Sequence, residues 1–191
     1  MPSVIFVIPI DIFIISKFFG LEALGIYSFA VSAFSYLHGF LVSIFKIFLP
    51  KMSKLHGDKD TQSLIATLKI NLKYAFVIGV LMSISSIFLW KPFVGIYIDN
   101  AFASSTYSYF LLFMILIIIR SVDPVFHYFF NAIAKPLFLL QNVIIVSSIT
   151  LIGYMIFVPI FKIYGLVVAQ MVAATIVNVY FLYIIKKRKD I

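Results

Sequence analysis

FLLFMILIIIRSVDPVFHYFFN, residues 110–131, is the stretch whose reading decides the fold. It opens on an unbroken apolar run. An Arg, an Asp, a Pro, a His and an Asn then enter a segment that otherwise stays apolar. The rest of the chain offers no polar surface under which such a run would be buried. Of its 191 residues, 63% are hydrophobic and 12% charged, and the mean hydropathy is +1.14. A soluble domain is about half apolar and roughly a quarter charged. The apolar runs far exceed the roughly ten alternating residues of a barrel strand, so the chain reads as an all-α, polytopic membrane bundle.

At about 20 apolar residues per span, the pattern predicts six transmembrane helices near 2–19, 24–48, 61–90, 104–131, 137–160 and 163–185. Residues 1–185 form one six-helix lobe and 186–191 a basic tail. Breaks are expected at KFFGLEALG, PKMSKLHGDKD, WKPFVGIYIDNAFASS, Lys135-Pro136, and Pro159 through Gly165. The start, MPSVIFVIPIDIFIISKFFG, reads as a membrane segment rather than a signal peptide, because Asp11 interrupts it and no basic region or small-residue cleavage site is present. There are no cysteines, which excludes disulfides and thiolate metal sites.

Lys and Arg placement sets an expected orientation. With the N-terminus in the cytoplasm, that side holds Lys46, Lys51, Lys54, Lys59, Lys69, Lys73, Arg120, Lys135, Lys186, Lys187, Arg188 and Lys189. The outer side keeps Lys17, Lys91 and Lys162, so both termini are expected inside. The net charge of +8 is then a topology signal with membrane lipid as its partner and no role for nucleic acid. In DTQSLIATLKINLK, Gln62, Ala66, Lys69 and Lys73 share a face, expected as an interfacial turn with snorkelling lysines. Trp90, Tyr97, Tyr107, Tyr109, Tyr180 and Tyr183 fit aromatic belts.

Ionisable groups at membrane depth need a partner or a watery cavity. On a helix, Arg120, Asp123, Pro124, His127 and Asn131 fall within an arc of about 100°. Asp123 is in reach of both Arg120 and His127, and Pro124 would kink the helix. Two readings stand. Either the span ends at Arg120, which anchors it before a short interfacial helix, or a single polar stripe faces a cavity. The one-sidedness favours the stripe. Ser28, Ser32, Ser35, Gly39, Ser43 and Lys46 also share a face. Close helix packing accounts for its small residues, while Lys46 would point into the bundle or a cavity mouth. Asp11 is expected to pair with Lys17 or another lysine, or to take up protons. Gln141, Asn142, Gln170 and Asn178 read as interhelical hydrogen-bond partners. An enzyme is disfavoured, since His38, His56 and His127 are scattered and Glu22 is the sole glutamate. No metal or cofactor is implied.

DIFIISKFFGLEALGIYSFAVS (11–32) resembles the join between the seventh and eighth helices of bacterial polysaccharide flippases, of the multidrug/oligosaccharidyl-lipid/polysaccharide exporter superfamily. FLPKMSKLHGDKD (48–60), KPFVGIYI (91–98) and VPIFKIYGLVVAQ (158–170) are similar to later stretches in the same order. The resemblance covers the second of two lobes. It implies alternating access across the cytoplasmic membrane, with a polyprenyl-pyrophosphate-linked oligosaccharide such as an O-antigen precursor as substrate. It also implies a partner lobe, either a missing N-terminal one or a second copy. On that reading Arg120 and Lys46 meet the lipid phosphate, while Asp123, His127 and Asn131 hold the Arg or bind sugar. The alternative is a non-transporting scaffold or a truncated remnant.

Overall fold

The computed structural model describes residues 2–134 and 136–187. Its helices are α1 (Pro2–Phe18), α2 (Leu21–Lys46), α3 (Leu49–Gly57), α4 (Thr61–Tyr97), α5 (Asn100–Arg120), α6 (Asp123–Ala132), α7 (Pro136–Phe161) and α8 (Tyr164–Lys187). No strand occurs among the described residues. Five stretches are long and apolar enough to cross a membrane: Leu21–Gly57, Thr61–Tyr97, Asn100–Ala132, Leu137–Phe161 and Tyr164–Lys186. The shorter apolar α1 is the sixth long segment. The chain is an all-α membrane bundle.

Proline accounts for most departures from the expected boundaries. Pro50 lies in the first turn of α3, a helix where a loop was expected, and Pro124 opens α6 in the same way. A first-turn proline removes an N–H that has no intrahelical acceptor, so it starts a helix rather than breaking one. The expected single helix 104–131 is therefore two, joined at Ser121-Val122. Conversely, Pro92 and Pro159 lie inside α4 and α7, which run on to Tyr97 and Phe161. The expected loop after Trp90 shrinks to a turn, because the Asp99 carboxylate accepts hydrogen bonds from the amides of Ala101 (3.0 Å) and Phe102 (3.2 Å) and starts α5 early. Asp60 caps α4 in the same manner, accepting from the Ser63 amide at 3.0 Å, and these hydrogen bonds hold its carboxyl below the usual range. The amphipathic stretch 61–74 is thus the first third of α4, continuous with the rest of that helix. Lys135 and residues 188–191, which include most of the expected tail, lie outside the described residues.

α5 is the centre of the bundle and packs on α2, α4 and α8. Phe110, Phe113, Met114, Leu116 and Ile117 are buried there. Against α4, Gly79 lets Ser121 approach, and Ser83 Oγ donates to the Met114 carbonyl at 2.9 Å. Trp90 stacks on Phe110 with ring centroids 3.7 Å apart, so it is a core residue and not a belt residue. α7 and α8 meet through Gly153 against Ala169 and through Gly165 against the Phe157 carbonyl. Small residues at both crossings permit that close approach, as helix association in lipid requires. Lys59, Ala134 and Lys162, just beyond α3, α6 and α7, adopt left-handed φ values of 58°, 52° and 52°. That conformation commonly ends a helix, though glycine usually supplies it.

Candidate functional site: two buried polar clusters and an exposed polar face

The first cluster gathers on Asp11, which is 1% exposed in the middle of α1. Tyr27 Oη of α2 donates to Oδ2 at 2.6 Å, and Gln170 Nε2 of α8 donates to the same oxygen at 2.7 Å. Tyr154 Oη of α7 donates to Oδ1 and itself accepts from Gln170 at 3.2 Å. One carboxyl group thereby ties four helices together. The expected lysine partner is not there. Lys17 instead lies beside the rings of Phe13 and Phe18, 5.6 and 5.7 Å from their centroids. The reason is depth: Lys17 sits in the last turn of α1, while Asp11 faces the interior beside tyrosines from neighbouring helices. Gln170 is an interhelical partner as read from sequence. The two tyrosines were missed, although a phenol in the middle of an apolar helix is itself a signal, since a buried hydroxyl requires an acceptor.

The second cluster surrounds the α5–α6 break. Arg120 (3% exposed), Asp123 and His127 line a small cavity of about 30 Å³ together with Asn142 of α7, and Val177 and Phe181 of α8 close it. Arg120 and Asp123 attract each other but form no direct ion pair among the described residues. Arg120 Nε and Asn142 Oδ1 are buried with no hydrogen-bond partner. One orphan is a donor and the other an acceptor, so the void suits water. A water needs roughly 10–15 Å³ of such space, which leaves room for one or two and none for a pyrophosphate or a sugar. Asn178 is an interhelical partner, donating to the Ile119 carbonyl at 2.9 Å.

The expected polar stripe is therefore divided. Arg120, Asp123 and His127 do share a cavity, and the helix break delivers Arg120 into it from above. Asn131 is exposed at the far end of α6, away from it. Lys46 is exposed at the end of α2 and does not line the cavity with Arg120.

The third feature is the serine face of α2. Ser32, Gly39, Ser43 and Lys46 are exposed, Ser28 and Ser35 half-buried. Gly25 and Gly39 have nothing within 4 Å of where a Cβ would stand. The expected close packing of this face is absent within the described bundle, because α2 buries its opposite side, Tyr27, Phe34, His38, Leu41 and Phe45, against α5 and its neighbours. Ser32 and Ser43 donate to backbone carbonyls of their own helix, at 2.8 and 3.0 Å.

No curated protein and no solved structure matches the chain. The family model described as "Lipid II flippase MurJ" matches residues 7–191. That family consists of transporters of a lipid-linked precursor, not enzymes. With nearly its whole length matched, this chain belongs to the MurJ lipid II flippase family.

Proposed function

We propose that the chain is one lobe of a flippase that moves a lipid-linked precursor of the lipid II class, rather than an O-antigen oligosaccharide, across the bacterial cytoplasmic membrane by alternating access. A second lobe, from further polypeptide or a second copy, faces it across the transport path, and both termini lie in the cytoplasm. The observation that supports the placement of the path is the unpacked face of α2, where Ser28, Ser32, Ser35, Gly39 and Ser43 are interleaved with the exposed rings of Tyr36 and Phe40 and the row ends in Lys46. The hydroxyls and glycine of that face gain little from acyl chains, and a single exposed lysine at its end suits a phosphate. Arg120, Asp123 and His127 act one layer behind it. They stabilise the α5–α6 break from inside the lobe, with water completing their hydrogen bonds.

The chain has no cysteine, so single cysteines test this directly. Ser32→Cys, Ser35→Cys and Ser43→Cys are expected to react with a water-soluble maleimide. Phe88→Cys, on the outer face of α4 and 75% exposed in the bundle, should stay protected by lipid. Equal protection at all four positions would remove the path from α2. In a lipid II translocation assay Lys46→Ala is expected to slow transport and Lys46→Arg to retain it. Unimpaired transport by the Lys46→Ala, Arg120→Ala double variant would overturn both assignments.

A further inference from the structure

We infer that the groove between the first third of α4 and the last turns of α8 is a docking site for one anionic phospholipid of the surrounding leaflet. The groove has a volume of about 550 Å³. Ile65, Leu68 and Leu72 form its α4 wall, and Leu182 and Ile185 its α8 wall. α4 and α8 flank it without packing tightly on each other. Lys69 and Lys186 also line it, one from each helix.

Depth fits a lipid. From Lys73 to Lys91, α4 carries no charged residue. At 1.5 Å per residue that interval is roughly 27 Å, close to the hydrocarbon thickness of a bilayer. Lys69 therefore lies a turn beyond the hydrocarbon, at headgroup level, while Leu72 and Leu182 lie at its edge. The site sets two lysines among apolar side chains at the edge of the hydrocarbon, where a lipid's phosphate and the first part of its acyl chains meet.

Charge fits as well. Neither lysine forms an ion pair among the described residues. Among the described residues the exposed acids at this end, Asp58 and Asp60, are in the turn between α3 and α4, and Asp60 is engaged by Ser63. Lys46, Lys51, Lys54, Lys59 and Lys73 add to a positive field at the same end of the bundle. Basic pockets between membrane helices bind anionic headgroups for this reason. The surrounding leaflet supplies such lipid in excess, so the site needs no dedicated ligand to be filled.

The test reconstitutes the whole chain in nanodiscs of equal parts phosphatidylglycerol and phosphatidylcholine and identifies retained lipid by native mass spectrometry. Selective retention of phosphatidylglycerol is expected. Lys69→Ala with Lys186→Ala should lower that selectivity about thirty-fold, from the usual contribution of a lysine near a charged surface. Lys69→Arg with Lys186→Arg should preserve it. Leu182→Trp, which puts an indole across part of the groove and leaves both charges, should also lower retention. This variant decides the question if the double alanine variant fails to fold. Lys51→Ala with Lys54→Ala, at the same end but off the groove, should change little. An equal loss there would mean diffuse attraction and overturn the site. Unchanged retention in Leu182→Trp would also overturn it, as would recovery of phosphatidylcholine or a polyprenyl phosphate in place of phosphatidylglycerol.

Discussion

Replacing Asp11 by alanine should release α1 from the bundle. Asp11 accepts from Tyr27, Tyr154 and Gln170, on α2, α7 and α8. Interhelical hydrogen bonds in membranes contribute about 0.6 kcal/mol on average and about 1.7 kcal/mol at most. Losing all three therefore costs about 2 kcal/mol by the average and about 5 kcal/mol at the upper end. The upper part of that range applies here, since Asp11→Ala strands the Tyr27 and Tyr154 hydroxyls in the core and leaves Gln170 only its bond to Tyr154, and an unmade buried bond costs more than a made one contributes. Tyr154→Phe removes two bonds, the one it donates to Asp11 and the one it accepts from Gln170, and leaves Asp11 with two donors, so it should cost about 1.2–3.4 kcal/mol. Asp11→Asn keeps an acceptor oxygen and should fall between the two. Ile15 reports the result. It lies one turn from Asp11 and is 0% exposed, and Ile15→Cys would be the only thiol in the chain. Thermal unfolding in detergent measures the stability loss, and maleimide labelling of Ile15→Cys measures the detachment of α1. The reasoning is refuted if Asp11→Ala costs no more than Tyr154→Phe, or if the Ile15→Cys thiol stays protected when Asp11 is gone.

Other outcomes follow from close approaches in the bundle. Gly79→Ala would place a Cβ 2.5 Å from Ser121 Cβ, an overpacking that should cost about 1–3 kcal/mol. Adding Ser121→Gly should recover part of it, and the fluorescence of Trp90, the sole tryptophan, reports the α4–α5 interface. Gly165→Ala should be worse, because the obstructing atoms are the Phe157 carbonyl and its backbone, which cannot rotate away. Gly25→Ala, with open space around it, should instead stabilise α2 slightly in a melting experiment. Ala134→Gly relieves a left-handed φ of 52° and should raise stability by about 1 kcal/mol. An unchanged melting temperature would mean the surrounding turn compensates already.

What can be read one residue at a time is a poor guide to where the polar groups end up. Asp11 looked like an isolated carboxylate seeking a lysine. Its nearest cation in sequence points away, and its actual partners come from three other helices. Arg120, Asp123 and His127 were legible as one cluster because three- and four-residue spacings survive the break at Ser121-Val122. Asn131 was not separable from them, since its fate depends on where α6 ends. Asn142 belongs to the same cavity through α7, and no local spacing marks it.

The sequence by itself determined the class of the protein, the six long segments and the gathering of basic residues at alternate ends. Each follows from a local rule: the thickness of the hydrocarbon layer, the need to satisfy every backbone group within a helix, and the exclusion of charge from the interior. Only the tertiary structure decided which face of α2 stays uncovered, which prolines begin helices, and what holds Asp11. Those outcomes depend on contacts between residues as far apart as Asp11 and Gln170, 159 positions along the chain. Within an apolar helix, several faces are equally acceptable to lipid. The choice among them is made by shape and hydrogen bonding between helices, and by nothing in either helix alone.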